Sequence, residues 1–185
     1  MKDFNTSARC LRSQGSPPRK TLGLPFAFFV VMALCPSSVF AQKLVIVVRH
    51  AERADGGSMA PTAQTDPLLS AEGEARAKRL AGMLAESGVT AIYATEYKRT
   101  QDTAKPIAQK LGLDVRTRKA QDSAGLAAAL KAEHAKDIVL VIGHSSSMPG
   151  VIKALGGPAV TIPDEEYGVI YFLVPATGTL TKIRY

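Results

Sequence analysis

The stretch K-L-V-I-V-V-R-H-A-E-R, residues 43–53, decides how the rest of the chain is interpreted. Its aliphatic residues run without interruption into Arg49 and His50. A short continuous run rich in β-branched residues is typical of a strand buried on both faces in a parallel sheet. Ligands of such sheets bind at the carboxyl ends of the strands. We therefore expect His50, with the permanent cation of Arg49 beside it, to lie in a functional site.

The first 41 residues have the form of a secretory signal peptide. A basic start is followed by an apolar run of 15 residues at positions 21–35, and small residues precede a cleavage site predicted after Ala41. We predict a signal peptide at 1–41, one domain at 42–185, and a periplasmic or secreted protein. A membrane-spanning helix needs roughly 20 apolar residues. An uncleaved anchor is therefore the alternative, and no stable membrane span is expected after cleavage.

Charge and cysteine content change when residues 1–41 are set aside. They hold five of the 23 basic and one of the 16 acidic residues, so the net charge falls from +7 to +3. This weak charge and the absence of tryptophan argue against a nucleic-acid partner. Both cysteines, Cys10 and Cys35, also lie in the predicted signal peptide. The predicted domain therefore has no disulfide, no cysteine nucleophile and no cysteine–metal site.

Apolar runs and helical patterns alternate along most of the predicted domain. Strands are predicted at 90–94, 114–116 and 138–142, and helices at 70–87, 100–111, 122–133 and 148–155. Gly88 is expected to end the first helix, and Pro106 to kink the second or delay its start. Residues 169–174 and 180–184 predict a hairpin. The expected fold is an α/β class, three-layer α/β/α sandwich with a mostly parallel sheet and a C-terminal antiparallel hairpin. Residues 54–69 are interpreted either as a functional lid or as a surface loop.

Two of the three histidines follow apolar strands directly. His144 comes after I-V-L-V-I-G as His50 comes after L-V-I-V-V-R, and Arg99 lies just beyond a third strand. Because the carboxyl ends of parallel strands meet at one edge of a sheet, we expect Arg49, His50, Arg99 and His144 to converge there. Guanidinium groups bind phosphate bidentately, and a neutral imidazole is a good phosphoryl acceptor. The set predicts a phosphate site with a histidine nucleophile.

Each of these residues also has a structural alternative. An arginine after a strand commonly forms a surface salt bridge, and a histidine there commonly caps or packs. A metal site with Glu52 as third ligand is disfavoured because Arg49 would oppose a dication. We expect His134, within K-A-E-H-A-K, to be solvated, and the acidic run at 164–166 to be a solvated turn.

Four motifs together resemble the histidine phosphatase superfamily, the phosphoglycerate-mutase-like proteins. R-H-A-E at 49–52 resembles the family's R-H-G-E, and D-P-L-L-S-A-E-G at 66–73 resembles its D-x-x-L-S/T-x-x-G. Y-K-R-T-Q-D-T-A at 97–104 resembles its R-x-x-x-T-A, and G-H-S at 143–145 its second-histidine motif. The short length resembles the minimal bacterial branch, which includes phosphohistidine phosphatases and exported sugar-phosphate phosphatases.

The resemblance implies a role for each matched residue. His50 would attack phosphorus and become phosphohistidine, while Arg49, Arg99 and His144 would hold the phosphoryl oxygens. Ala51 replaces the family's usual glycine. The proton donor has no clear match: Asp122 is one possibility, with helix capping as its alternative role. Glu52 is the other, and it could instead orient Arg49 or Arg53.

These observations predict an exported, metal-independent phosphatase that acts on a small phosphorylated substrate without a cofactor. A catalytically weak phosphate-binding module and a phosphomutase are the alternatives. Residues 54–69 and 156–167 are expected to shape specificity. Neither the substrate nor the oligomeric state can be read from the sequence.

Overall fold

The structure, a computed structural model, describes residues 43–56 and 66–185. The predicted signal peptide and residues 57–65 of the predicted lid loop lie outside the described residues. The division into 1–41 and 42–185 therefore remains a prediction.

A six-stranded mixed sheet forms the centre of the domain, in the order β3-β2-β4-β1-β5-β6. The strands β1 to β4 pair in parallel, and the last two pair antiparallel. This confirms the predicted parallel sheet with a C-terminal hairpin. The strands are β1 (Leu44–Arg49), β2 (Val89–Thr95), β3 (Val115–Arg118), β4 (Ile138–Gly143), β5 (Val169–Val174) and β6 (Thr179–Arg184).

Four helices cover the two faces of the sheet, which confirms the three-layer arrangement. Leu80 of the first helix and Ile107 of the second pack on one face, where they join Ile46 and Ile142 in one apolar core. The third and fourth helices pack on the other face around Val47. The helices are α1 (Ala71–Met83), α2 (Lys98–Leu111), α3 (Ser123–Glu133) and α4 (Met148–Ala154). Within the described residues, no helix is both long and apolar enough to cross a membrane.

Helix ends follow local chemistry, with two departures from the sequence-based expectation. Ser70 caps α1 by accepting a hydrogen bond from the Gly73 amide at 3.1 Å. The helix ends at Met83 and not at Gly88, since a separate turn at 84–86 lies between them. Pro106 lies inside α2, which begins at Lys98 and continues to Leu111. The expected late start was therefore wrong. Proline costs the helix a single backbone hydrogen bond, and buried neighbours such as Ile107 hold the helix against the sheet.

Strand order determines which chain segments meet at the carboxyl edge of the sheet. The central strands β1 and β4 are neighbours, with Arg49 opposite Gly143. The ladder continues one residue further, since the His50 amide donates to the Gly143 carbonyl at 2.9 Å. On the other side of β4 lies β2, which leads into α2. Because β5 is antiparallel to β1, its first residues lie at the edge where the parallel strands end.

Candidate active site

The structure brings the two strand-end histidines into contact. The rings of His50 and His144 have centroids 5.2 Å apart at an interplanar angle of 60°. Both are buried, with 4% and 7% of their surface exposed. The continuous β1–β4 ladder explains the proximity, because it fixes the two backbones side by side.

His50 presents an unprotonated ring nitrogen to the site. Its Nδ1 lies 2.8 Å from the carbonyl oxygen of Ala51. A carbonyl can only accept, so Nδ1 carries the proton and Nε2 keeps its lone pair. Burial, reinforced by His144, Arg49 and Arg99, lowers the pKa of His50 to about 2, although the hydrogen bond to Ala51 opposes this shift. His50 is therefore neutral at neutral pH, with an oriented lone pair on Nε2.

His144 is also neutral, and its hydrogen bonds to Arg99 and Thr95 show which ring nitrogen carries the proton. Its Nδ1 faces Nη2 of Arg99 at 3.4 Å, and since a guanidinium only donates, Nδ1 accepts. Nε2 then donates to the Thr95 hydroxyl at 2.9 Å. Thr95 continues to Thr100 at 2.8 Å, and Thr100 donates to the Tyr97 carbonyl at 2.7 Å. Burial, followed by the charges of Arg99, Arg49 and Arg53, lowers the pKa of His144 to about 3.

Arg49 is held by the chain segment that precedes β5. Its Nη1 donates to the carbonyls of Pro163 at 3.3 Å and Glu166 at 3.4 Å, and to that of Asp164. Its Nη2 donates to the Tyr167 hydroxyl at 3.2 Å, and the guanidinium stacks 4.0 Å above the Tyr167 ring. The same ring meets His50 edge-on at 6.1 Å. We call residues 162–167 the β5 approach.

Arg99 is held from the opposite side by a carboxylate. Its Nη1 forms an ion pair with Asp66 at 3.2 Å. The same carboxylate accepts from the Lys98 amide at 2.7 Å, and so caps α2, whose Tyr97 N-cap side chain makes no capping bond. The guanidinium also lies 4.3 Å above the Tyr97 ring. Burial lowers the pKa of Arg99, and Asp66 opposes the shift; the group remains a cation at neutral pH.

The two guanidinium groups share a geometry suited to an oxyanion. The Nη1 atom of Arg49 binds backbone carbonyls of the β5 approach, and the Nη1 atom of Arg99 binds Asp66. The Nε atoms of Arg49 and Arg99 are buried and have no hydrogen-bond partner among the described residues. An edge formed by Nε and Nη2 is the one that binds carboxylate or phosphate oxygens bidentately. The site therefore combines a neutral imidazole, which has a free lone pair, with two buried guanidinium groups.

An open cavity of about 310 Å³ adjoins this group. Its lining is mainly neutral and polar, with Arg99 and His144 at one side. The lining residues are Tyr97, Arg99, Ala120, Gln121, Ser123, His144, Ser146 and Ser147. The part of the chain that the structure describes contains no group of three or more His, Cys, Asp or Glu side chains that could hold a metal ion.

The carboxylates suggested by the sequence as proton donors are engaged elsewhere. Asp122 caps α3 by accepting from the Gly125 amide at 2.8 Å. Glu52 accepts two hydrogen bonds from Nε of Arg76, at 2.6 and 2.8 Å. Glu52 therefore binds Arg76 of α1, and not Arg49 or Arg53 as the sequence suggested. This corrects the expected orienting role: Glu52 ties the end of β1 to α1.

Of two expectations about solvated groups, the one for His134 was wrong, whereas the solvated turn expected at 164–166 is present at Asp164 and Glu165, which are exposed. His134 is buried, because its ring turns inward and bonds the Tyr93 hydroxyl at 3.0 Å and Asp137 at 2.7 Å. Its charged sequence neighbours gave no signal of this. The acidic run at 164–166 is part of the β5 approach, where Glu166 binds Lys182 at 2.7 Å.

The sequence-based reasoning missed the residues that hold the two arginines. Tyr167 precedes an antiparallel strand, and only the strand order places it at the site. Asp66 was identified as part of a helix-entry motif, without its contact to Arg99. A usable signal did exist for Tyr167: in a mixed sheet, the residues before an antiparallel strand share an edge with the ends of its parallel neighbours.

Comparisons with known proteins place these features in one family. Residues 45–122 match the model of the histidine phosphatase superfamily, branch 1. A probable phosphoglycerate mutase of Yersinia enterocolitica is 40% identical over 73 residues, which cover 40% of this chain and 34% of that protein. A probable phosphoglycerate mutase of Escherichia coli is 37% identical over 71 residues, with coverage of 38% and 33%. The chain thus spans about a third of the length of these curated relatives.

Solved structures of the family share the fold. A phosphoserine phosphatase of Entamoeba histolytica, in complex with 3-phosphoglyceric acid, has a TM-score of 0.58 at 16% identity over 76% of this chain and 94% of that chain. A mycobacterial glucosyl-3-phosphoglycerate phosphatase in complex with VO3 has a TM-score of 0.59 at 16% identity, over 71% and 92% of the two chains. Residues 45–122 match the histidine phosphatase superfamily, as the motifs within them indicated, and the fold is the one that these solved structures have. Its relatives and structural neighbours carry the names of phosphatases and mutases.

Proposed function

We propose that this protein is an exported phosphatase that hydrolyses a small phosphomonoester, or a related phosphoryl compound, through a phosphohistidine on His50. The observation that carries the proposal is the state of His50. Its Nδ1 proton is held by the Ala51 carbonyl, and its Nε2 lone pair lies beside two buried arginines. An oriented neutral imidazole next to cationic forks suits attack on phosphorus.

In the first half of the proposed reaction, His50 Nε2 attacks phosphorus in line with the leaving oxygen. The Nε2–P bond forms as the P–O bond breaks. Arg49 and Arg99 bind the equatorial oxygens through their Nε and Nη2 atoms, and stabilise the charge that spreads over them. The Nδ1 of His144, which is an acceptor, can accept a hydrogen bond from the protonated oxygen of a monoanionic phosphate.

In the second half, water attacks the phosphohistidine and releases inorganic phosphate. The bond electrons return to Nε2, while the Ala51 carbonyl keeps Nδ1 protonated throughout. This carbonyl stabilises the positive charge that the ring carries while it is phosphorylated. No step requires a metal ion or a cofactor, so we propose that activity persists in a chelator.

The decisive experiment compares the 42–185 protein with its His50→Ala variant on p-nitrophenyl phosphate in the presence of a chelator. We expect a loss of about 10³-fold or more in kcat/KM, because an enzyme that loses its nucleophile keeps only binding contributions. Acid-labile labelling by a phosphorylated substrate should disappear in the same variant. Retained turnover in His50→Ala contradicts the mechanism, whereas phosphate binding without turnover in both proteins indicates a binding module.

Export is the part of the proposal that rests on residues 1–41. The charge and apolar pattern of this segment and the small residues before Gln42 support it. Expression of the full chain in a Gram-negative host, followed by cell fractionation and N-terminal sequencing, tests it. A periplasmic protein that begins at Gln42 is expected, and full-length protein in the cytoplasm contradicts export.

A phosphomutase is the second candidate, because the curated relatives are named probable phosphoglycerate mutases. A mutase must keep its substrate bound while the phosphoryl group returns to it. The cavity beside His144 is open, and water can compete with that return. Mixing 3-phosphoglycerate with the protein separates the two: release of inorganic phosphate indicates a phosphatase, and conversion to 2-phosphoglycerate a mutase.

A further inference from the structure

Asp164 connects the ends of the two central strands across the site, through its backbone carbonyl and its side chain. Its carbonyl oxygen accepts from Nη1 of Arg49, at the end of β1. Its side-chain carboxylate accepts from the hydroxyl of Ser145, the residue after His144 at the end of β4. Asp164 therefore contacts Arg49, which holds the phosphoryl group in the mechanism proposed above, and Ser145, the residue after the second histidine.

Asp164 and His50 differ in their exposure to solvent. Asp164 is exposed, while His50 is buried. In an in-line displacement the leaving group departs from phosphorus on the side opposite the nucleophile. A proton donor must therefore stand away from the buried His50 ring, and the exposed Asp164, bonded to the residue after His144, is a carboxylate that meets this requirement.

The other carboxylates near the site already have charged or backbone partners. Glu52 pairs with Arg76, Asp66 pairs with Arg99 and caps α2, and Asp122 caps α3. Asp164 accepts instead from the neutral Ser145 hydroxyl, and no cation pairs with it among the residues that the structure describes.

We propose that Asp164 is the general acid and base of the reaction, the role for which the sequence showed no match. This assignment rests on the phosphohistidine mechanism proposed above. As the P–O bond breaks, its electron pair goes to the leaving oxygen, which takes the proton of the Asp164 carboxyl group. In the second half the Asp164 carboxylate takes a proton from the attacking water, and the carboxyl group is restored. The sum is ester plus water to alcohol plus phosphate.

The dependence of the rate on leaving-group basicity tests this role. The p-nitrophenolate anion leaves without a proton, whereas phenolate is a stronger base and gains from one, and the two aryl phosphates have similar shapes. In Asp164→Asn, kcat/KM should fall about 30-fold or more for phenyl phosphate but less than about 3-fold for p-nitrophenyl phosphate. The ratio kcat/KM is used because it reports only the steps up to formation of the phosphohistidine.

Matched variants separate this role from a structural one. Asparagine can still accept from Ser145, and thermal melting checks that the variant is folded. Asp164→Glu, which keeps the carboxyl group, should recover part of the loss on phenyl phosphate. Glu165→Gln removes a neighbouring exposed charge, and Asp122→Asn changes the rival carboxylate while keeping a capping residue; neither should alter the ratio of the two substrates.

Equal losses on both substrates, or no loss, in Asp164→Asn overturn the assignment, as does a selective loss in Asp122→Asn. Failure of the underlying mechanism looks different. In that case wild-type protein does not hydrolyse p-nitrophenyl phosphate, or His50→Ala still does.

Discussion

Two groups of the same three residue types face each other across the site. The β1 group contains Arg49, His50 and Tyr167, and the β4 group contains Arg99, His144 and Tyr97. In each, a guanidinium stacks on a tyrosine ring, at 4.0 and 4.3 Å, and the ring meets a histidine edge-on, at 6.1 and 5.2 Å. The arginines differ in what holds them: neutral carbonyls of the β5 approach hold Arg49, and the Asp66 carboxylate holds Arg99.

This difference has an electrostatic consequence. Carbonyl groups orient a guanidinium without cancelling its charge, so Arg49 offers a full positive charge to an incoming phosphate. Asp66 orients Arg99 but also places a negative charge next to the phosphate site. Substitution of Arg49 by a neutral residue therefore leaves no charged partner unpaired. The same substitution of Arg99 leaves the Asp66 carboxylate without its ion-pair partner.

The largest expected effect is the loss of either arginine. Arg49→Ala and Arg99→Ala should each lower kcat/KM by about 10²–10³-fold, since each removes donors to the transition-state oxygens. The loss in Arg99→Ala should be the greater, because the remaining Asp66 repels the substrate. Adding Asp66→Asn to Arg99→Ala should therefore recover part of the activity. Adding Asp66→Asn to Arg49→Ala is the control. Equal recovery of activity in the two double variants would contradict the proposed difference between Arg49 and Arg99.

The two histidines should make the stability of the fold depend on pH. Burial lowers the pKa values of His50 and His144 to about 2 and about 3, from an ordinary 6.5. Between these values and 6.5 the unfolded chain binds protons that the folded protein does not, so stability falls as the pH drops below about 6.5. Each histidine contributes a slope of about 1.4 kcal/mol per pH unit in this window.

Chemical denaturation between pH 5 and pH 6 measures this slope. His50→Gln and His144→Gln should each remove about one such contribution, and the double variant both. At pH 8 the histidine contribution to the pH dependence is absent in all four proteins. A slope that is unchanged in both single variants shows that the two rings are protonated in the folded protein.

Asp66 has two functions that substitutions can separate. Asparagine caps a helix about as well as aspartate, whereas alanine costs about 1 kcal/mol. We expect Asp66→Asn to leave the cap of α2 in place and Asp66→Ala to lower the free energy of unfolding by that amount. Both lose the ion pair that orients Arg99, so both should lower kcat/KM by about 5- to 10-fold. Equal stability of the two variants contradicts the capping role.

The smallest effect is expected at the tyrosines. Tyr167→Phe removes a hydrogen bond to Arg49 worth about 1 kcal/mol, so kcat/KM should fall about 5-fold. Tyr97 supports Arg99 with the face of its ring, which phenylalanine retains, and Tyr97→Phe should cost less than about 2-fold. Leucine at either position removes the cation–π contact and should cost more than phenylalanine does. A larger loss of kcat/KM in Tyr97→Phe than in Tyr167→Phe would contradict the greater importance expected for the Tyr167 hydroxyl.

The same contrast shows how far sequence reasoning reaches. Tyr97 and Arg99 are two residues apart at the end of one strand, and parallel strand ends share an edge; the sequence therefore led directly to Arg49, His50, Arg99 and His144. Tyr167 and Asp164 lie more than 110 positions from Arg49, and their placement depends on strand order. No periodicity reports which strand neighbours β1. His134 shows the converse limit, since polar neighbours in sequence say little about the direction of one ring.

The hydrogen bond from the His50 amide to the Gly143 carbonyl has a consequence for dynamics. It makes His50 the last rung of the central ladder, so this amide should exchange with deuterium only when the sheet itself opens. Arg49, one residue earlier, depends for its orientation on a connecting segment with no strand or helix of its own. The β5 approach can therefore open locally and release the guanidinium while both imidazoles stay in register. Slow exchange at His50 together with fast exchange at 164–167 would show that the β5 approach alone positions Arg49, whereas the whole sheet positions His50.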